Sequence, residues 1–200
     1  MVKENHRWQM SKRLETFRYA SMEEIQQILK TCDAHPGLHL VRDIVRVVAN
    51  TGMTNCELGL LLVSNIDYDG RWLLTSECFS PKHAKRFLPI NSKTLESLTC
   101  LHQLNPESPL VLGESPRSRF EYVAKTLRSR FPDFARGRFV MYSVRMNFVY
   151  RIMSSDIPSS IVNYCLGRQD LALVFGKLSL TPEQKLAIIR RDLESFLPEL

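Results

Sequence analysis

Apolar residues recur at helical spacing along most of the chain, and this pattern predicts a mainly helical protein. Ser21 and Glu24 form a capping box ahead of apolar positions, which predicts a helix over 22–33. A strongly apolar stretch predicts a second helix over 38–50, ended by Gly52. Further helices are predicted over 92–104 with Ser92 as cap, 116–131, 142–154, 158–166 and 182–197, the last of them amphipathic.

Two segments in the first half of the chain have the pattern of strands. Residues 71–78 and 86–90 are rich in aromatic and branched side chains, and a basic loop separates them, which predicts a hairpin. The predicted fold class is therefore mainly α with a small antiparallel β-sheet (α+β). We divide the chain into a basic N-terminal arm over 1–20, one domain over 21–180 and a C-terminal amphipathic helix over 181–200.

Composition narrows the classes of function. No stretch approaches about 18 uncharged apolar residues, and the N-terminus lacks the apolar core of a signal peptide, so we expect a cytoplasmic protein without a membrane span. The five cysteines are odd in number and include no CxxC pair, which disfavours a disulfide scaffold or a zinc site. No GxGxxG motif or P-loop occurs, and no cofactor is predicted.

The positive charge is concentrated in one segment. The whole chain carries a net charge of +6, and residues 112–151 alone hold nine basic residues against three acidic ones, which is also +6. Eight of the nine are arginines, whose planar guanidinium suits bidentate contact with phosphate. This segment could form a DNA or RNA backbone surface, but the charge alone favours the alternative, a solvated helix face. The nine are Arg117, Arg119, Lys125, Arg128, Arg130, Arg136, Arg138, Arg145 and Arg151.

Three local motifs occur in order along the chain. TGMTNCEL stands at 51–58, KRFLPI at 85–90, and YSVR at 142–145 is followed by LGR at 166–168. Together they resemble the catalytic domain of the tyrosine recombinases, the phage integrase family, in which the corresponding motifs read TGLRxxEL, a lysine before RxVPL, HxxR and LGH. The resemblance covers roughly residues 20–180.

The resemblance implies a phosphate-binding site that has changed. In this family two arginines and a histidine hold the DNA phosphate, and a hairpin lysine protonates the leaving oxygen. Here the first arginine is Thr54, the second is kept as Arg145, and the histidine of HxxR is Tyr142. Arg168 replaces the histidine of LGH, and the family lysine matches either Lys82 or Lys85.

The family's nucleophile, a tyrosine that forms a 3′-phosphotyrosyl link, has no match. Its position falls at Lys177, with Phe175 close by, and no tyrosine follows Tyr164. Tyr150 and Tyr164 are the candidates for a displaced nucleophile, but both are expected in helices that pack into the core. We therefore predict a recombinase fold that has lost strand cleavage and is not an enzyme.

The basic residues that remain predict a protein that binds duplex DNA non-covalently, in an accessory or regulatory role. The hairpin residues are expected to be exposed to solvent. Two alternatives stay open: a protein-interaction scaffold with the same fold, or a DNA-cleaving recombinase with a displaced tyrosine. The residues predicted to contact DNA are Arg145, Arg168, Lys82, Lys85, Arg86, Tyr142, Arg117 and Arg119.

The two ends of the chain carry further expectations from the resemblance. Family members usually have a separate helical DNA-binding domain before this one, and only about twenty residues precede it here, so half of the DNA clamp is expected to be absent. The C-terminal helix could dock on a neighbouring protomer and form a homo-oligomer, or fold back on its own domain. Packing within the chain is slightly favoured.

Overall fold

The computed structural model describes residues 19–75, 84–132, 140–176, 178–194 and 196–197. The predicted arm over 1–20 therefore lies almost wholly outside the described residues, as do Lys82 and Lys177. The strands are β1 (Ile66–Asp67), β2 (Trp72–Leu74) and β3 (Phe87–Pro89). The helices are α1 (Met22–Asp33), α2 (His39–Thr51), α3 (Asn55–Gly59), α4 (Ser92–Gln103), α5 (Pro116–Arg130), α6 (Val140–Met153), α7 (Ser159–Cys165), α8 (Leu171–Phe175) and α9 (Pro182–Glu194).

The first two helices begin and end as their sequence predicts. The Ser21 hydroxyl accepts a hydrogen bond from the Glu24 N–H at 3.2 Å, and the Glu24 carboxylate accepts one from the Ser21 N–H at 2.9 Å. Helix α2 ends at Gly52, which has a φ of 63° and donates its N–H to the Val48 carbonyl at 2.9 Å. A left-handed residue at this point favours glycine.

The small sheet is antiparallel, with strand order β1-β2-β3. Leu73 pairs with Leu88 and Trp72 with Pro89, so the predicted hairpin between the second and third strands is confirmed. Within the described residues each of these strands is three residues long, shorter than predicted. Strand β1 was not predicted because two residues are too few to show an alternating pattern.

Two helix starts differ from the prediction. The cap of α4 is Asn91 rather than Ser92, because the Asn91 side chain accepts a hydrogen bond from the Thr94 N–H at 2.8 Å. Helix α8 was not predicted, and it begins where Asp170 accepts a hydrogen bond from the Leu173 N–H at 2.8 Å. An aspartate before an apolar run was the available signal.

The apolar side chains form two cores. The first joins α1, α2, α4 and α5, and polar pairs such as Asn50 with Thr94, at 2.8 Å, link α2 to α4 inside it. The second contains Leu88 of β3, Phe148 of α6, Tyr164 of α7, and Ile189 and Leu193 of α9. The apolar stripe of α9 is therefore buried in its own chain, which confirms the favoured packing.

Within the described ranges, none of the helices is long and apolar enough to cross a membrane.

Candidate nucleic-acid interface

The three sequence motifs meet in space, although they lie far apart along the chain. The Arg145 Nε donates to the carbonyl oxygen of Gly52 at 2.8 Å, which joins the start of α6 to the end of α2. The Arg86 Nε donates to the Cys165 carbonyl at 2.7 Å, and the Ala84 N–H donates to the Gly167 carbonyl at 3.0 Å. The hairpin is thereby attached to the end of α7, where Arg168 follows.

A buried ion pair between Glu57 and Arg86 lies at the centre of this meeting point. Both residues are at most 1% exposed, and the Arg86 guanidinium donates to the Glu57 carboxylate. Burial alone would raise the pKa of Glu57, but the charge and hydrogen bond of Arg86, with the bonds from Thr54, outweigh it and lower that pKa. The prediction that Arg86 is exposed was wrong, because Arg86 is the counter-ion of a buried carboxylate.

Thr54, which the sequence motif aligns with the family's first arginine, serves as a helix cap. Its hydroxyl accepts a hydrogen bond from the Glu57 N–H at 3.1 Å, while its own N–H donates to the Glu57 carboxylate at 2.7 Å. This is a second capping box, and it starts the short helix α3. Thr54 therefore stabilises the start of α3.

Arg145 is half-buried, and its side chain is hydrogen-bonded through Nε. Its Nε is bonded to Gly52, and no described residue accepts a hydrogen bond from its two terminal nitrogens. Burial lowers the pKa of Arg145; Glu57 acts in the opposite direction, and the charges of Arg86 and Arg168 lower that pKa further. A desolvated guanidinium between two other cations would be stabilised by a bound anion.

Arg168 provides a second guanidinium beside the first. It is exposed and follows Gly167, whose φ is 74°, and its backbone N–H donates to the Asn163 carbonyl at 2.8 Å. Among the described residues, the Arg168 side chain donates no hydrogen bond. The carboxylate that acts on Arg145, that of Glu57, is already bonded to Arg86.

Two more predicted residues lie next to these arginines. Tyr142 is 44% exposed on the first turn of α6 and interacts electrostatically with Arg145. Lys85 is exposed and directly precedes Arg86. We call Lys85, Tyr142, Arg145 and Arg168 the basic site.

Arg117 and Arg119 lie on α5, apart from the basic site. The Arg117 side chain is 92% exposed and pairs with Glu121 at 2.9 Å. Arg119 is half-buried, and one of its terminal nitrogens is buried without a hydrogen-bond partner. Within the described ranges, no hydrogen bond or ion pair links either residue to the basic site.

Comparison with known proteins identifies the fold. No protein-family model and no curated protein matches the sequence. Among solved structures, the Tn1549 transposon integrase with circular intermediate DNA matches with a TM-score of 0.61 and 11% identity, over 86% of this chain and 64% of the integrase. The XerA recombinase matches with a TM-score of 0.58 and 17% identity, over 91% of this chain and 66% of XerA. A lambda integrase dimer bound to a COC′ core site matches with a TM-score of 0.54 and 12% identity, over 82% of this chain and 50% of that one.

The fold is that of a tyrosine recombinase catalytic domain. The predicted fold class and the resemblance stated from the motifs are thereby confirmed. The chain spans about two thirds or less of the length of these structures.

In this recombinase fold, the two alternative tyrosines have different surroundings. The Tyr164 hydroxyl accepts from the Phe87 N–H at 2.8 Å and donates to the Phe87 carbonyl at 3.2 Å, and burial raises the pKa of Tyr164 to about 12. Tyr164 is thus a core residue, as predicted. Tyr150 is 52% exposed and stacks on Tyr19 with ring centroids 4.9 Å apart, so the prediction that it packs into the core was wrong. Phe175 is buried in the second core.

Sequence reasoning missed the role of Glu57 in the recombinase fold. The signal was present, because Thr54 and Glu57 repeat the spacing of the capping box at Ser21 and Glu24. The partner of Glu57 could not be predicted, since Arg86 lies 29 residues further along the chain.

Proposed function

We propose that this protein binds duplex DNA through the phosphate backbone, without cleaving it, in an accessory or regulatory role. The observation that carries the proposal is the pair Arg145 and Arg168, two guanidinium groups whose charges repel each other and whose terminal nitrogens donate to no described residue. Such a pair is suited to phosphate oxygens, which accept hydrogen bonds in the fork geometry of arginine. The cytoplasmic location predicted from the sequence is compatible with this partner.

The structural neighbours support DNA as the source of the phosphate. The Tn1549 integrase and lambda integrase structures contain DNA, and both share this fold. The exposed cations of α5, including Arg117, Lys125 and Arg128, would add sequence-independent attraction. A homo-oligomer through α9 stays a prediction.

Loss of cleavage is supported by the surroundings of Thr54 and Tyr164. Thr54 holds no charge and is occupied as a helix cap, so one phosphate clamp of the family is gone. The sequence has no tyrosine after Tyr164, and the Tyr164 hydroxyl is bonded to the hairpin backbone with a raised pKa. A phenol held in this way is a poor nucleophile.

Fluorescence anisotropy of a labelled duplex of about 30 base pairs, in a salt series, tests the binding. We expect Arg145→Ala and Arg168→Ala each to weaken binding by about tenfold and to lower the salt slope by about one ion. Arg191→Ala is the matched control, since Arg191 is exposed on α9 and paired with Asp192. No binding by the unaltered protein at any salt concentration would contradict the proposal and favour the scaffold alternative.

Incubation with nicked duplex followed by denaturing electrophoresis tests the absence of cleavage. We expect no denaturant-stable protein–DNA adduct, because the position of the family's nucleophile falls at Lys177 and the Tyr164 hydroxyl is bonded to the hairpin backbone. An adduct that disappears in Tyr150→Phe would instead support the recombinase with a displaced nucleophile.

A further inference from the structure

An arginine of the last helix is hydrogen-bonded to the residues at the start of β2. One terminal nitrogen of Arg190 donates to the carbonyls of Gly70 and Arg71, the second at 3.2 Å. The same guanidinium lies over the Trp72 ring, with its central carbon 4.5 Å from the ring centroid. Two carbonyls and an aromatic face together hold this side chain in place.

The attachment lies at the end of the hairpin where β2 begins and β3 ends. The Arg71 carbonyl that accepts from Arg190 also accepts from the Ile90 N–H at 3.0 Å, and Trp72 pairs with Pro89 in the antiparallel register. Arg190 therefore contacts the start of β2, at the point where Arg71 is bonded to the residue that follows β3.

The other end of the same hairpin is bonded to the basic site. The Arg86 N–H donates to the Thr75 hydroxyl at 3.1 Å, and the Arg86 side chain reaches the Cys165 carbonyl. Ala84 donates to the carbonyl of Gly167, the residue before Arg168. A movement of the hairpin would displace both Lys85 and the turn that carries Arg168.

We infer that Arg190 is a positioning residue for the basic site: from α9 it fixes the hairpin that in turn fixes Lys85 and Arg168. The inference rests on the proposed DNA binding for its functional consequence, and on the contacts above for its structural one. Direct phosphate contact is not the role assigned to Arg190, because its guanidinium is occupied by the Gly70 and Arg71 carbonyls and by Trp72.

Hydrogen exchange tests the structural part without DNA. We expect Arg190→Ala to raise the exchange rates of the Ala84, Arg86 and Phe87 amides by about fivefold or more, because local opening of the hairpin becomes easier. Arg191→Ala is the control: it removes the neighbouring arginine, whose side chain is 73% exposed and bonded to Asp192. Equal exchange at these three amides in the unaltered protein and in Arg190→Ala would overturn the inference.

A double-mutant cycle tests the functional part. We expect Arg190→Ala to weaken DNA binding by about tenfold in the unaltered protein but by only about threefold in Arg168→Ala, because the part of its effect that passes through Arg168 is then lost and only the part through Lys85 remains. Arg190→Lys keeps the positive charge but lacks the planar guanidinium group, so its DNA binding should lie between that of Arg190→Ala and that of the unaltered protein. Full additivity with Arg168→Ala, or full restoration by lysine, would show that Arg190 acts by its charge alone. If the unaltered protein binds no DNA, the proposed function fails while hydrogen exchange still decides the positioning.

Discussion

At the scale of single residues, the Glu57 carboxylate links a helix cap to the hairpin. It accepts hydrogen bonds from the Thr54 backbone at 2.7 Å and the Thr54 hydroxyl at 3.0 Å, and it is the counter-ion of Arg86. A buried pair of this kind gives little net stability as a whole, but the loss of one partner leaves an uncompensated charge. Removing either Glu57 or Arg86 is therefore expected to lower the free energy of unfolding substantially.

We expect Arg86→Ala to lower the free energy of unfolding by about 3–5 kcal/mol, because it leaves the Glu57 carboxylate buried without a cation. Urea denaturation at neutral pH measures the loss. Arg117→Ala removes an ion pair whose arginine is 92% exposed, so it should cost less than about 0.5 kcal/mol. Equal losses in the two variants would show that the Glu57–Arg86 pair is not desolvated.

Because folding lowers the pKa of Glu57, the free energy of unfolding depends on pH in the acid range. Folding lowers this pKa from the ordinary value of 4.5, so the unfolded chain binds the proton more readily. The stabilisation is complete above about pH 5 and is lost as the pH falls through the folded pKa. Urea denaturation between pH 6 and pH 3 should therefore show a shallower decline for Glu57→Gln than for the unaltered protein, and parallel declines would contradict this prediction.

Part of the basic site could be predicted from the sequence. The motifs identified Arg145 and Arg168; in the structure Arg145 is bonded to Gly52, and the residue before Arg168 is bonded to Ala84 of the hairpin. The burial of Arg86 and the exposure of Tyr150 could not be predicted, because each depends on a partner distant in sequence. The local sequence pattern predicts which helix or strand a residue belongs to. The burial of its side chain depends instead on how the other elements pack against it.

At the scale of elements, the end of α2 positions the start of α6. Gly52 has a left-handed backbone, and a Cβ on it would lie 2.2 Å from the Phe148 ring. The carbonyl of the same glycine accepts the hydrogen bond from Arg145. Gly52 therefore ends α2, leaves room for the Phe148 ring and binds the Arg145 side chain through its carbonyl.

We expect Gly52→Ala to lower the free energy of unfolding by more than about 2 kcal/mol, since strain in the backbone adds to overlap with Phe148. Gly37→Ala is the control, because no heavy atom lies within 4 Å of its Cβ position, and the change should stay within about 0.5 kcal/mol. Thermal unfolding followed by circular dichroism compares them. A Gly52→Ala protein as stable as the control would show that Phe148 can move aside.

The helices were predicted better than the sheet for a physical reason. Helices such as α1 and α2 show several turns of periodic apolar positions, and the sequence also marks an end of each, with the capping box at Ser21 and the glycine at Gly52. Strand β1 and helix α8 are two and five residues long, too short for a period to appear. Their existence depends on the hydrogen bonds and packing that the rest of the fold supplies.

At the scale of the whole molecule, α9 completes the second core. Ile189 and Leu193 are at most 2% exposed, and they pack in the same cluster as Leu88 of the hairpin and Phe148 of α6. At the far end, Phe196 meets Phe148 edge-on with ring centroids 5.5 Å apart. The elements that carry Arg86 and Arg145 thus depend on the last helix for part of their packing.

We expect Ile189→Ala to lower the free energy of unfolding by about 2–5 kcal/mol, because it opens a cavity in this core. Leu173→Ala removes an aliphatic side chain that is 68% exposed and should cost less than about 0.5 kcal/mol. Urea denaturation measures both. A small loss in Ile189→Ala would mean that α9 contributes little to the core it covers.

The stacking of Arg190 on Trp72 has a practical consequence. The chain contains two tryptophans, Trp8 and Trp72. In a Trp8→Phe protein all indole fluorescence would come from Trp72, whose ring is in contact with a cation of α9. Release of that helix would remove the cation and expose the ring to water, so the emission would shift to longer wavelength. The protein therefore carries an intrinsic optical probe of its last helix, readable in real time and without a label.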